Sequence, residues 1–261
     1  MGQILAIAGN SFKDSVRSRV MLGVFFLAIV MIVSSLVLGA LSFGEERKIT
    51  ADWGLFCTSL FGVIITIVVG IQQIHKEIDK KTLYNVLAKP VSRSHFLFGK
   101  YLGTMSVAVA SILIMAIVHQ GLMLESTGTF EPRLLIGVLA DLLMVMILAS
   151  VATFFSSVAS PFMAGLFTTG FFLAGRWLHE MKYLILQLSR MDSAFAHYMT
   201  WPLKGLYLAL PNFAIFDIDG ELVHQIALPN GYLLLLAGYS ITYSAVLLLA
   251  AVRAFSKRDF L

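Results

Sequence analysis

Cysteine occurs once in this 261-residue chain, proline six times, and charged residues make up only 13% of it. A lone cysteine, Cys57, excludes an intrachain disulfide and any cysteine-built metal cluster. Inside its apolar run it reads as a small buried hydrophobe. Charge at about half of the roughly 25% usual for globular domains excludes an ordinary soluble fold. A phosphate-binding loop is missing as well. Gly99-Lys100 is followed by Tyr101, and Ser94 stands where the leading glycine belongs, so the chain cannot cradle ATP by itself. His179-Glu180 opens like a zinc-protease motif, but Tyr183 occupies the second histidine's place and ends that reading. The sequence shows no convincing internal repeat and no low-complexity stretch.

What fills the chain is apolar. Hydrophobic residues make up 58%, with 20 Phe and 12 Met, and the mean hydropathy is +0.85. This composition predicts an all-α integral membrane protein. A span needs about 20 mostly apolar residues, and six are expected: 20–41, 54–74, 101–124, 134–157, 162–177 and 231–252. Trp53 sits at one rim of the second, where an aromatic belt residue belongs. Pro161 disfavours helix at the residue before it and separates the fourth span from a short, kinked or partly re-entrant fifth.

Ahead of the first span, 1–19 is no signal peptide, because its charges follow its apolar residues. Nor does it fit N-myristoylation, with Ala6 where Ser or Thr is required. Ile4, Leu5, Ala8, Phe12 and Val16 form one helical stripe opposite Lys13, Asp14 and Arg17, which predicts an amphipathic interfacial helix; a frayed tail is the alternative.

The basic residues follow topology rather than nucleic acid. With the N-terminus in the cytoplasm, that side carries twelve of the nineteen Lys and Arg, six of them within 75–100. The positive-inside rule therefore places both termini and the 75–100 segment in the cytoplasm. Residues 178–230 then form a long outer segment, read as short helices half-sunk in the interface. Its acidic cluster, Asp217, Asp219 and Glu221, reads as a solvated turn or a divalent-cation site.

Within 75–100, Thr82 is a plausible N-cap for a short helix, 83–89, that Pro90 ends, and Ser92 or Ser94 can cap the span that follows. Leu83, Val86 and Leu87 fall at helical spacing in a charged frame. They read equally as a docking surface or as residues resting on neighbouring helices. Inside the spans, Asp141 and the pair His119-Gln120 are costly in lipid and must face protein or water. Their depths allow an Asp141–His119 contact, either lining a translocation path or packing helices together. Gly165, Thr168, Thr169 and Gly170 of the fifth span are small residues that permit close helix approach.

The run Glu77, Lys81-Thr82-Leu83, Leu87-Ala88, Pro90-Val91-Ser92-Arg93 and Gly99-Lys100 resembles the segment after the second span of ABC-2 type transporter permeases. Leu210-Pro211-Asn212-Phe213 and the closing FSKRDFL are similar to that family too, nearest the branch holding the permease of nitrous-oxide-reductase maturation. Many members carry Gly where Lys81 stands. The resemblance covers essentially the whole chain and implies a type V exporter-like fold. Residues 20–261 would form one six-span domain acting as the permease subunit of an ATP-binding cassette exporter. By this resemblance 75–100 is a coupling hairpin. Leu83, Tyr84, Val86 and Leu87 would form its docking face with Thr82, Glu77 would brace it, and Arg93 and Lys100 would flank the return.

The resemblance further implies a homodimer in the bacterial inner membrane, driven by two copies of a separate ATPase subunit, with an accessory periplasmic protein as a further partner. The chain would bind no cofactor or metal; ATP and Mg2+ would sit on the ATPase. His119, Asp141, Thr168 and Thr169 would line the path or the dimer interface. The alternatives are an ion-gradient-driven secondary transporter or channel subunit, and an intramembrane enzyme. The first would want several embedded acids where only Asp141 qualifies, and the second lacks a nucleophile–base pair.

Overall fold

The computed structural model describes residues 2–42, 44–79, 92–191 and 194–256. Among them every regular element is a helix. These are α1 (Gly2–Val16), α2 (Arg19–Ala40), α3 (Glu46–Asp79), α4 (Arg93–Thr127), α5 (Leu134–Val158), α6 (Pro161–Arg176), α7 (Leu178–Ser189), α8 (Ala194–Ala209), α9 (Asp219–Val223) and α10 (Tyr232–Ser256), with a 3-10 turn at Ala214–Phe216. Helices suit a chain that lipid surrounds, because each satisfies its own backbone polar groups.

Five helices, α2, α3, α4, α5 and α10, are long and apolar enough to cross a membrane. Burial sorts them into centre and rim. In α3 and α5, 61% and 67% of the apolar window is buried, against 22% in α2 and in α10. The rim helices turn Phe26, Val30 and Val37 of α2, and Leu234, Leu235 and Leu249 of α10, outward where lipid would lie. The fifth expected span is α6, opened by Pro161 at its first turn and stopped at Trp177. Its 16 residues rise about 24 Å, short of the ~30 Å hydrocarbon core. That segment is therefore a helix too short to cross unaided, followed at once by α7.

Glycines set how closely α3 meets its neighbours. The ring of His119 in α4 lies where a Cβ of Gly54 would stand. A Cβ at Gly70 would come within 2.7 Å of the Ala152 Cβ of α5. Ser92 caps α4, its hydroxyl accepting the His95 N–H at 3.2 Å, and Gly128 ends that helix in the left-handed conformation at φ 68°.

The stripe of the amphipathic helix left open which of its sides meets the protein. α1 forms, but its protein-facing side is Ala8, Ser11 and Ser15, while Leu5 and Val16 of the predicted stripe point outward. The reason lies in α4, whose Gly99 and Gly103 form a close-approach surface. A Cβ at Gly99 would stand 2.7 Å from Ile7, and one at Gly103 would stand 2.5 Å from the Ser11 Cβ. Such a surface lets α1 come close, so Ser11 turns inward with Ile7 and Phe12 beside it, while Leu5 and Val16 are left facing outward. Gly103→Val should therefore lower the thermal midpoint of the detergent-solubilised protein by roughly 2 to 10 °C, the effect of about 1–3 kcal/mol of overpacking. Gly121→Ala, in the same helix with nothing within 4 Å, should not lower it.

Candidate functional site

The ionisable residues gather at the two ends of the bundle. At the end where α3 stops and α4 begins, three contacts tie the base of the 75–100 segment. Lys100 Nζ lies 3.0 Å from Glu77 Oε1, with the lysine side chain 7% exposed. That ammonium also stands 5.6 Å from the centre of the Phe96 ring. One turn earlier, Arg93 donates from Nη1 to the carbonyls of Phe255 and Ser256 at 3.1 and 3.0 Å. These are among the last carbonyls of α10, which have no partner within their own helix and attract a cation. Phe96 stacks on Phe255, and Ile74, Leu97 and Ala251 complete a small core around them. The ends of α3, α4 and α10 are thereby joined.

A polar cavity of about 220 Å³ opens beside this joint, lined by Asn10, Ser11 and Asp14 of α1, Gln73, Lys76 and Glu77 of α3, and Lys100. Lys76 pairs with Asp14 at 3.3 Å, and the Gln73 side-chain amide lies 3.3 Å from Ser15 Oγ. The amphipathic helix is thus bonded to the same end of α3 that carries Glu77. Of the expected docking residues, Glu77 and Arg93 lie in this joint, whereas Thr82, Leu83, Tyr84, Val86 and Leu87 fall outside the described residues.

The residues expected along a path do not converge. His119 is buried against α3, its Nε2 3.2 Å from the Thr50 carbonyl oxygen. Asp141, 5% exposed, belongs to another group: its polar and charged neighbours are Ser59, Asp217, Asp219 and Arg176. The contact between Asp141 and His119 that depth allowed is not made, because α4 turns His119 toward the first turns of α3 while α5 turns Asp141 toward the 217–219 loop. Thr168 and Thr169 also part company. Thr168 is buried, its hydroxyl donating to the Ala164 carbonyl at 2.6 Å, and Thr169 is exposed.

At the bundle's other end lies a cavity of about 450 Å³ lined by Asp52, Trp53, Phe56, Ser59, Leu60 and Val63 of α3, Phe172 and Arg176 of α6, and Asp217, Asp219 and Gly220. Arg176 is paired with Asp217 at 2.6 Å. The sequence named Asp141 and the 217–221 cluster separately and passed over Asp52 and Arg176. The one available signal was that these charges border apolar runs at the same end of successive spans.

Replacing one partner of the Glu77–Lys100 bridge leaves a charge with little access to water. Glu77→Gln should cost about 1–3 kcal/mol of unfolding free energy, and adding Lys100→Met should recover most of that loss. A denaturation double-mutant cycle checks the recovery, which two independent side chains would not show.

No curated protein matches the chain. The sequence profile described as ABC-2 family transporter protein matches residues 5–260, nearly the whole length, and assigns no branch within that family. Membrane-crossing helices, a charged joint at one end and this match agree: the chain belongs to the ABC-2 family, as a membrane-spanning subunit of an ATP-binding cassette transporter.

Proposed function

We propose that the chain is the permease of an exporter in the cytoplasmic membrane. Two copies would form the path, and two separate ATPase subunits would seat on the 75–100 hairpins. The observation that carries this reading is the joint at the hairpin's base. A connector needs no half-buried ion pair, yet Glu77 and Lys100 pair across its two ends and Arg93 fastens the return to the last helix. Any displacement of the hairpin by a bound ATPase is then delivered to α3, α4 and α10 together. The missing phosphate loop is consistent with ATP hydrolysis by a partner, and Leu83, Tyr84, Val86 and Leu87 are the apolar contacts that partner would cover.

For the second copy, α6 offers its exposed side. Ala164 and Thr168 are buried and Gly165 stands close to Ile71 of α3, whereas Phe162, Leu166 and Thr169 face outward. A dimer built on this face brings two Thr169 positions together and leaves Thr168 inside its own protomer.

Affinity purification from the native membrane tests the docking. An ATP-binding subunit should co-purify with the wild type and fall at least about tenfold with Leu87→Asp, since a buried anion at such a contact costs ~2 kcal/mol or more. ATPase absent from both preparations would reject the reading in favour of an ion-driven carrier. For the dimer, cysteine at 169 should crosslink between copies and cysteine at 168 should not; the reverse pattern would place the interface elsewhere.

A further inference from the structure

The 450 Å³ cavity has a charge balance that selects its occupant. Asp52, Asp217 and Asp219 line it against a single cation, Arg176, which Asp217 already pairs at 2.6 Å. Behind the lining stands Asp141. It is 5% exposed, and one of its carboxylate oxygens is buried with no hydrogen-bond partner. Its neighbours Ser59, Asp217, Asp219 and Arg176 all belong to the lining, so the carboxylate stands directly behind the cavity wall, among the groups that line it. A buried polar atom without a partner is a cost that a bound cation would relieve. The remaining walls are apolar or aromatic: Trp53, Phe56, Leu60, Val63 and Phe172. Among the described residues no three acids, histidines or cysteines come close enough together to hold a metal ion. The carboxylates are spread around the cavity, which suits a large, diffuse positive charge better than a small hard one.

We propose that this cavity is a substrate subsite for a lipophilic organic cation, held by Asp52 and Asp219 and stacked on Trp53, Phe56 and Phe172. This rests on the transporter reading and names the chemical class it would carry. Aromatic faces attract such cations strongly once water is displaced, and the carboxylates then act at low dielectric.

The pH dependence follows from Asp219. Burial, then the neighbouring Asp217 and Asp52, push its carboxyl up to about 7. Glu221 adds to that push, Arg176 opposes it, and Asp141 faces it from α5. The cation favours the ionised form, so binding expels a proton below about pH 7. Affinity should rise with pH, by up to about tenfold per unit for this one proton, and level off above 7.

Tetraphenylphosphonium is the probe, and tetraphenylborate, of matching shape and opposite charge, is the control. Both are titrated against the full chain in lipid nanodiscs, corrected for empty discs, with Trp53 fluorescence read in a Trp177→Phe/Trp201→Phe background. Saturable binding of the cation alone is expected, weakened at least tenfold in Asp52→Asn/Asp219→Asn at pH 8. Arg176→Gln should bind the cation more tightly, a gain that misfolding cannot imitate and that decides the matter if the double variant does not fold. Equal binding of both ions, or cation affinity that is not raised by Arg176→Gln, overturns the proposal. No ATPase is present in this assay, so its failure leaves the docking reading standing, and loss of docking leaves the subsite standing.

Discussion

An ionisable side chain in the middle of a bilayer costs roughly 2.5–3.5 kcal/mol on insertion scales, and the arrangement of this protein follows from avoiding that cost. The middle of the bundle is held by packing, with glycines letting α3 approach α4 and α5, and by uncharged hydrogen bonds such as that from the Ser244 hydroxyl to the Met146 carbonyl. Charge appears where the helices end. At one end it forms closed pairs, Glu77 with Lys100 and Lys76 with Asp14. At the other, Arg47 pairs with Glu131 and Lys48 with Glu45, while the acids of the cavity stay unbalanced, Asp52, Asp141 and Asp219 sharing one arginine that Asp217 holds. Closed pairs suit a joint that must not yield. An unbalanced cluster suits a place that awaits a charge from outside.

Much of this was legible in the sequence because lipid imposes one simple demand, and long apolar runs meet it visibly. The helix starts near 20, 134 and 232 lie within two residues of where hydropathy places them. The α3 and α4 helices overrun their apolar runs, reaching Glu46–Asp79 and Arg93–Thr127, since a helix continues past the bilayer wherever propensity allows. Contacts were a different matter. Periodicity put Ile4, Leu5, Ala8, Phe12 and Val16 on one stripe of α1, but the shape of Gly99 and Gly103 decided which side docks. That is steric information held in another helix, 90 residues away. Asp141 and His119 sit at similar depths, and depth carries no information about rotation around the helix axis, so their separation could not be read.

The short α6 shows the same limit from the opposite side. Its sequence is apolar and uninterrupted, yet Pro161 and the break at Trp177 hold it to 16 residues. Its neighbours compensate for the missing length. The backbone of Phe213 donates to the Gly175 carbonyl at 3.1 Å, and Gly175 itself lies against the Pro211 carbonyl and the Phe213 ring. The Leu210-Pro211-Asn212-Phe213 motif thus buttresses the end of α6, and the same loop carries Asp217 to Arg176 on the helix's last turn.

One element carries residues of both the joint and the cavity. α3 runs 34 residues without a proline, carrying Asp52 near its start and Glu77 near its finish. These two positions stand about 38 Å apart at 1.5 Å per residue. Gly54 and Gly70 leave no slack against His119 and Ala152, so α3 cannot easily bend toward those neighbours. A helix gripped along its length transmits motion as a rod rather than absorbing it. Displacement applied at Glu77 must then reappear at Asp52, Ser59 and the cavity they line. Arg176 and the 217–219 loop stand on α6 and its buttress rather than on α3, so such a movement alters the spacing between the carboxylates instead of carrying the whole site along. On the proposed subsite reading, carboxylates carried by more than one element would grip a cation in one position of the rod and release it in the other.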